Sequence, residues 1–585
     1  MRLFGRVVLI CLAVIGGLTL ALFAIGVTAV SSHHAKPLPK QMTLALDLGA
    51  GLQETRPESP FAKLEGGGYT VREVVETLDR ASRDPHVNTL VASLSGEHLG
   101  MAQAQELRDA VAAFRKSGKR TVVYSSGMGE GAAATADYYL ASAFEEIWLQ
   151  PSGDLGITGF MAESPFLKDL FDKLGVQAQF GARWEYKSAI EMFTQKKFSK
   201  ENRDSLTQLL NAWSDQAVAG IAEGRGLTPD QVRRAIDNAP MLAEDALKAK
   251  LVDKLAYWDE MEKSLTQKGA EIVDLEDYAA QAKPEPNAVK VALIYGVGEV
   301  VEHDPDNSPF GGGNVFAADR VTQAFRDAVK DPEVKAILFR IDSPGGSYTA
   351  ADAVWREVGQ ARAAGKPVVV SMGNLAASGG YFAAMPADRI IAQPGTITGS
   401  IGVFSGKFVL SGLWDKLGVG WDEVHLGQNA PMSSSNQPFS PQAWERLNKM
   451  LDAIYADFTG KAMQARHIAP EQMDKLARGR IWPGSLAQKA GLVDELGGYA
   501  TAMADIRTLA KLPSQMPLRL ITFPKPRPAL EVLMEMLDDG KVPQEVAVSL
   551  SAGRELHQAA TLLRPLTRAV SAPKGALQMP PVEVK

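Results

Sequence analysis

The chain has 585 residues, of which 45% are hydrophobic types and 22% charged, and its net charge is -6. That length holds several domains with sizeable cores, the composition is globular rather than disordered or fibrous, and the mild acidity leaves no electrostatic footprint for nucleic acid. The single cysteine, Cys11, excludes an intrachain disulfide and a cysteine-rich metal site.

Residues 1–6 carry Arg2 and Arg6, and the run Val7 to Val30 that follows has no charged residue. A run of that length crosses a bilayer as a helix, so residues 7–30 are expected to be a transmembrane anchor. Ala24, Gly26 and Ala29 would also suit a cleavage site. Arginines on the amino side put residues 1–6 in the cytoplasm and the body outside it, across the membrane. Residues 31–41 read as a polar tether.

The first folded unit, 42–280, opens with the alternating strand Met42 to Leu48. The spacing of apolar residues then predicts a helix over Val71 to Ser82, a buried strand over Thr89 to Leu94, a helix over Ala102 to Ser117 and a strand over Arg120 to Tyr124. Strands alternating with helices point to an α/β fold with a largely parallel sheet. Two prolines among polar residues mark 281–287 as a linker. A second unit, 288–515, follows, then a helical extension at 516–570, drawn from Pro526 to Leu537 and Glu545 to Leu563, and a Pro-rich tail at 571–585 expected to be disordered.

The second unit repeats the first. Asp84-Pro-His-Val87 is echoed by Asp331-Pro-Glu-Val334, Phe171-Asp-Lys-Leu-Gly-Val176 by Trp414-Asp-Lys-Leu-Gly-Val419, and Leu251-Val-Asp-Lys-Leu255 by Leu492-Val-Asp-Glu-Leu496. The order and spacing persist over some two hundred residues, and the period is far too long for a solenoid. The offset 414 − 171 = 243 sets Gly399 opposite Gly156, Gly402 opposite Gly159, and Ser400 opposite Ile157. Lys187 falls opposite Ala430. One copy keeps a serine and the other a lysine, as expected of one composite site shared by the pair.

Ser400, between Gly399 and Gly402, suits a sharp turn that exposes a hydroxyl for nucleophilic attack. Asp342-Ser-Pro-Gly-Gly346 follows a buried strand, and the backbone N–H groups of Gly345 or Gly346 would suit the oxyanion of a tetrahedral intermediate. Ser378, in Ala377-Ser-Gly-Gly380, is the rival nucleophile, but a serine before a helix is better explained as a cap. His425 is the histidine nearest Ser400 in the chain should the base be an imidazole, and no zinc-protease or Walker-A motif occurs.

Asp342-Ser-Pro-Gly-Gly-Ser347, Ala376-Ala-Ser-Gly-Gly-Tyr381, Ile397-Thr-Gly-Ser-Ile-Gly402 and Glu185-Tyr-Lys-Ser-Ala189 together resemble the signal peptide peptidase A (protease IV) family in its long, duplicated form. The resemblance covers roughly residues 42–515. It implies tandem Clp protease/crotonase-like domains and a membrane-anchored serine endopeptidase with a Ser/Lys dyad, the nucleophile carried over to Ser400 and the general base to Lys187. It also implies hydrophobic peptides such as cleaved signal peptides as substrates, no cofactor, and a homo-oligomer, a tetramer for the tandem form. A lysine serves as base only when burial away from acids depresses its pKa, so Glu185 and Glu191 must point elsewhere. The alternatives are a crotonase-like acyl-CoA enzyme, which would need a carboxylate pair beside Gly345-Gly346, and an inactive membrane scaffold.

Overall fold

The computed structural model describes residues 37–49, 51–56, 68–94, 99–129, 133–283, 285–304, 315–525, 576–578 and 583–584. The apolar run 7–30 and the helical stretches expected at 526–537 and 545–563 lie outside the described residues. Among the described residues, no helix is long and apolar enough to cross a membrane.

The expected first elements form at Met42–Asp47, Val71–Arg83, Val87–Ser93, Met101–Arg115 and Arg120–Ser125. The helix Val71–Arg83 illustrates why. A capping box between Thr70 and Glu73 satisfies its first N–H groups, and Val71, Val74, Leu78 and Ala81 recur at helical spacing to form its buried face.

The duplication is visible strand by strand. The first sheet is wholly parallel, in the order Lys254–Leu255, Glu146–Leu149, Arg120–Ser125, Val87–Ser93, Met42–Asp47, Glu271–Asp274. The second contains the same parallel series: Glu495–Leu496, Arg389–Ala392, Val368–Ala377, Val334–Ser343, Val289–Val297, Leu518–Phe523. Side chains repeat as well. The Tyr138 hydroxyl donates to the Leu251 carbonyl as that of Tyr381 does to Leu492, and the Arg225–Asp253 ion pair recurs as Arg466–Asp494.

Two boundaries move. The second sheet runs to Phe523, beyond residue 515, because Leu518–Phe523 pairs with Val289–Val297 as Glu271–Asp274 pairs with Met42–Asp47. The tail is also not wholly disordered, since Ala576–Gln578 and Glu583–Val584 are paired strands.

A third sheet joins the repeats, in the order Val315–Ala317, Glu299–Val301, Gly345–Ser347, Ala576–Gln578, Val403–Val409, Gln177–Arg183. Its last pair is antiparallel and crosses from one repeat to the other, with Arg183 opposite Val403 and Gln177 opposite Val409. Deeper in the same junction, Arg340 is buried on the second sheet between carboxylates of the first repeat. Its Nε donates to Glu54 Oε2 at 2.8 Å, its Nη2 to Glu106 Oε2 at 2.9 Å, and its Nη1 to Ser371 Oγ at 2.8 Å.

Candidate active site

Two parallel strands of the second sheet, Val368–Ala377 and Ile397–Gly399, end side by side with Ala377 opposite Gly399. The next residue of each is a serine in the left-handed half of backbone space, Ser378 at φ +56° and Ser400 at φ +49°. Polar groups at the carboxyl ends of parallel strands are where α/β sheets collect ligands. The inter-repeat strand pair delivers the third group: four residues after Arg183, the chain turns Lys187 inward between the two serines. Its Nζ lies 2.8 Å from Ser378 Oγ, 3.0 Å from Ser400 Oγ and 2.9 Å from the Ser400 carbonyl oxygen.

A loop of the second repeat clasps this lysine. The Arg478 carbonyl accepts the N–H groups of Trp184 and Tyr186, and the Arg478 guanidinium donates to Glu185 at 2.7 Å. Gly479, at φ +90°, approaches so closely that a Cβ would lie 2.4 Å from the Lys187 nitrogen. The same loop fixes the Ser400 turn: the Ser400 N–H donates to the Arg480 carbonyl at 2.7 Å, and the Ser400 hydroxyl donates to the Gly479 carbonyl at 3.3 Å.

Lys187 is 2% exposed, and burial alone holds its pKa well below the ordinary lysine value. The neighbouring acids face away, Glu185 to Arg478 and Glu191 to Ser199 and Asn202. No carboxylate offsets the desolvation, so the amine form is favoured.

The two serines differ. Ser378 stands between a strand and the helix Gly379–Ala384 at φ +56°, ψ −115°, a sharp strained turn, and its side chain makes no cap hydrogen bond. The capping explanation for Ser378 is therefore corrected, since its hydroxyl faces Lys187. Ser400 instead has its N–H and hydroxyl tied to the clasp loop. Of the glycines expected at the oxyanion, Gly345 turns its N–H back to Ser343 Oγ at 3.2 Å. Gly346 sits so close to the neighbouring strand that a Cβ would meet the Val300 oxygen at 2.1 Å. His425 lies on an exposed loop beside Glu423, away from both serines.

In the first repeat the same offset sets Thr135 in place of Ser378 (378 − 243 = 135) and Ile157 in place of Ser400 (400 − 243 = 157). Thr135 Oγ1 bonds both the carbonyl and the N–H of Gly159, and Ile157 is buried apolar packing. Sequence reasoning missed the clasp Arg478–Arg480. Its one local signal was the Arg-Gly-Arg run, which names no partner.

The sequence profile of Peptidase family S49 matches residues 113–272 and 360–513, a segment in each repeat. The chain belongs to peptidase family S49. Protease 4 of Salmonella typhi is 33% identical over 457 residues, covering 75% of this chain and 72% of that protein. Protease 4 of Haemophilus influenzae is 30% identical over 523 residues, covering 83% and 82%. The chloroplastic serine protease SPPA of Arabidopsis thaliana is 29% identical over 476 residues, covering 79% and 69%. This S49 peptidase is a serine-type endopeptidase, which removes the acyl-CoA enzyme and the inactive scaffold as readings of the site.

Proposed function

We propose that this S49 peptidase cleaves peptide bonds with Ser378 as nucleophile, Lys187 as general base and Ser400 as a second hydroxyl that holds the lysine. The observation that carries this reading is Lys187 Nζ, buried and 2.8 Å from the hydroxyl of a strained strand-to-helix serine. Neutral Lys187 takes the Ser378 proton as Oγ attacks the peptide carbonyl carbon, and returns it to the leaving amine when the C–N bond breaks. Water, deprotonated by the same amine, then hydrolyses the acyl-enzyme. The N–H groups of Gly346 and of Gly379, the residue after the nucleophile at a helix amino end, suit the oxyanion. Ser400 is the second reading for the nucleophile, favoured by its own contact with Lys187 at 3.0 Å. A serine-directed fluorophosphonate followed by peptide mapping tests the choice. The label is expected on Ser378, and a label confined to Ser400 would reverse the assignment.

The wider setting belongs to the same proposal. Residues 7–30 anchor the chain, the Clp protease/crotonase-like body works on the periplasmic side, and the substrates are hydrophobic peptides such as cleaved signal peptides. Self-association has a specific support. The strand Gln177–Arg183 pairs with the other repeat, whereas its counterpart 420–426 is exposed, with Trp421 61%, Val424 99% and Leu426 96% accessible. A second copy of this chain offering its first-repeat edge at 160–166 would cover that segment as the intrachain contact covers Gln177–Arg183, and the repetition of this contact builds the homo-oligomer.

A further inference from the structure

One helix of the first repeat reaches every strand of the second sheet that leads into the site. Three polar residues in the first two turns of Met101–Arg115, namely Gln103, Gln105 and Glu106, are buried. Each position meets a different strand. The Gln103 N–H donates to Asn374 Oδ1 at 3.1 Å, on the strand Val368–Ala377 that runs into Ser378. Gln105 Oε1 accepts the Gly395 N–H at 2.7 Å, in the turn that enters the strand Ile397–Gly399 and then Ser400. Glu106 Oε2 accepts from Arg340 at 2.9 Å, on the strand Val334–Ser343 that precedes the Gly345-Gly346 pair.

The Ser378 strand is shaped for its contact. Ile341 pairs with Met372 and Ser343 with Ala376, so Asp342 faces three residues, 373–375, and the strand bulges there. Asp342 Oδ1 accepts the Leu375 N–H at 2.8 Å and holds the bulge, while Asn374, its middle residue, reaches across to the first repeat.

The two repeats cap the equivalent helix differently. Around these residues the repeat offset is 331 − 84 = 247 and again 366 − 119 = 247. In the second repeat the Ser347 side chain caps Tyr348–Ala363 by accepting the Ala350 N–H. The equivalent positions in the first repeat are Gly100 and Gln103 (347 − 247 = 100; 350 − 247 = 103), and Gly100 has no side chain to offer. Asn374 takes that place, so close that a Cβ on Gly100 would lie 2.2 Å from its Nδ2. Gln105 and Glu106 correspond to Asp352 and Ala353 (105 + 247 = 352; 106 + 247 = 353), of which Asp352 turns to Lys461. A helix capped from another repeat, with three polar residues buried, has its hydrogen bonds satisfied in one docked position only.

We infer that the helix Met101–Arg115 sets the serine strands against Lys187, with Asn374 and Gln105 as positioning residues. The repeat that supplies the lysine thereby also holds the strands that carry both serines. The inference rests on the proposed site in taking Lys187 and the two serines as its working groups, and it stands whichever serine attacks.

The test uses the full chain and separates positioning from stability. Displacing a reacting group by about 1 Å costs about a hundredfold, so Asn374→Ala, which frees the bulge, should lower kcat about tenfold with KM within about twofold of the parent. Its unfolding midpoint should fall as well, because the helix has lost its cap. Adding Gly100→Ser gives the helix a cap of its own, in space the asparagine side chain has left. The midpoint should then return while kcat stays low. Recovery of kcat together with the midpoint would reduce Asn374 to a cap and overturn the inference. Gln105→Met keeps the shape but withdraws the acceptor from Gly395, and kcat should again fall about tenfold. Parental kcat in a folded Gln105→Met chain would overturn the role of the helix at the Ser400 strand. Fluorophosphonate labelling of the Asn374→Ala, Gly100→Ser chain, with peptide mapping, separates this inference from the choice of nucleophile. Slowed labelling of Ser378 supports both. Slowed labelling confined to Ser400 exchanges the nucleophile and leaves the helix role standing, whereas labelling at the parental rate overturns the helix role alone.

Discussion

Ala377 and Gly399 face each other across two parallel strands, and because each is the last strand residue before a serine, Ser378 and Ser400 emerge side by side at one sheet end. One amine reaches both, at 2.8 and 3.0 Å. The two serines differ in their second partner, a helix amino end for Ser378 and the Arg478–Arg480 loop for Ser400.

Ser378→Ala is expected to cut kcat by about 10⁴-fold or more, the usual cost of removing a nucleophile. With Ser378 as the proposed nucleophile, Ser400→Ala should only loosen the lysine, and displacement of about 1 Å costs about a hundredfold. Steady-state kinetics on the two variants measures the difference. A Ser400→Ala enzyme weaker than Ser378→Ala would exchange the roles.

Only the neutral form of Lys187 accepts a proton, so kcat/KM should rise with pH along a single limb through the pKa of Lys187 in the free enzyme. Burial lowers that value, which places the limb well below the ordinary lysine pKa of about 10.4. Lys187→Arg, always protonated, should be inactive throughout. A limb at about pH 10 would show that Lys187 is not buried in the working enzyme.

The same burial has a stability sign. The folded chain keeps Lys187 neutral while the unfolded chain protonates it, so stability falls as pH drops from about 10 toward the lowered folded pKa, by about 1.4 kcal/mol per unit. Lys187→Met lacks this slope. Its unfolding midpoint should gain on the wild type as pH falls from 9 to 7, and parallel midpoints would contradict the desolvation account.

Gly479→Ala should disable the enzyme without touching a reacting group. The added Cβ meets the Lys187 backbone nitrogen at 2.4 Å and faces a φ of +90° that disfavours alanine. A loss in kcat of about a hundredfold is expected, with KM little changed. Wild-type turnover would mean that the clasp does not position the lysine.

Arg340→Met removes the cation between Glu54 and Glu106 and leaves two buried carboxylates facing each other across the junction of the repeats. Breaking such a buried group costs about 3–5 kcal/mol. The variant should unfold at lower denaturant, and adding Glu54→Gln with Glu106→Gln should recover part of the loss.

The sequence made the duplication legible because Asp-Pro turns and Leu-Val-Asp runs, each leading into a parallel strand, recur at nearly constant spacing, and the structure repeats those positions in its strand order. Lys187 and Ser400 were legible as halves left in different copies. The partnership of Ser378 was not, because a serine before a helix reads locally as a cap and only the lysine arriving from 191 residues away turns its hydroxyl elsewhere. The same holds for Arg340, a charge within an apolar strand whose counterions lie in the other repeat. The tail strand was hidden for another reason: its prolines and polar residues give no strand pattern, and its pairing is supplied by edges built far away in the chain.

Arg183 opposite Val403 joins two halves that unduplicated chains would have to bring together by collision. In one polypeptide that encounter is a step of folding, and its yield is independent of how many copies are present. Specific activity per chain should therefore stay constant on dilution into the nanomolar range, even where copies separate. A site built by collision would instead lose activity on the same dilution.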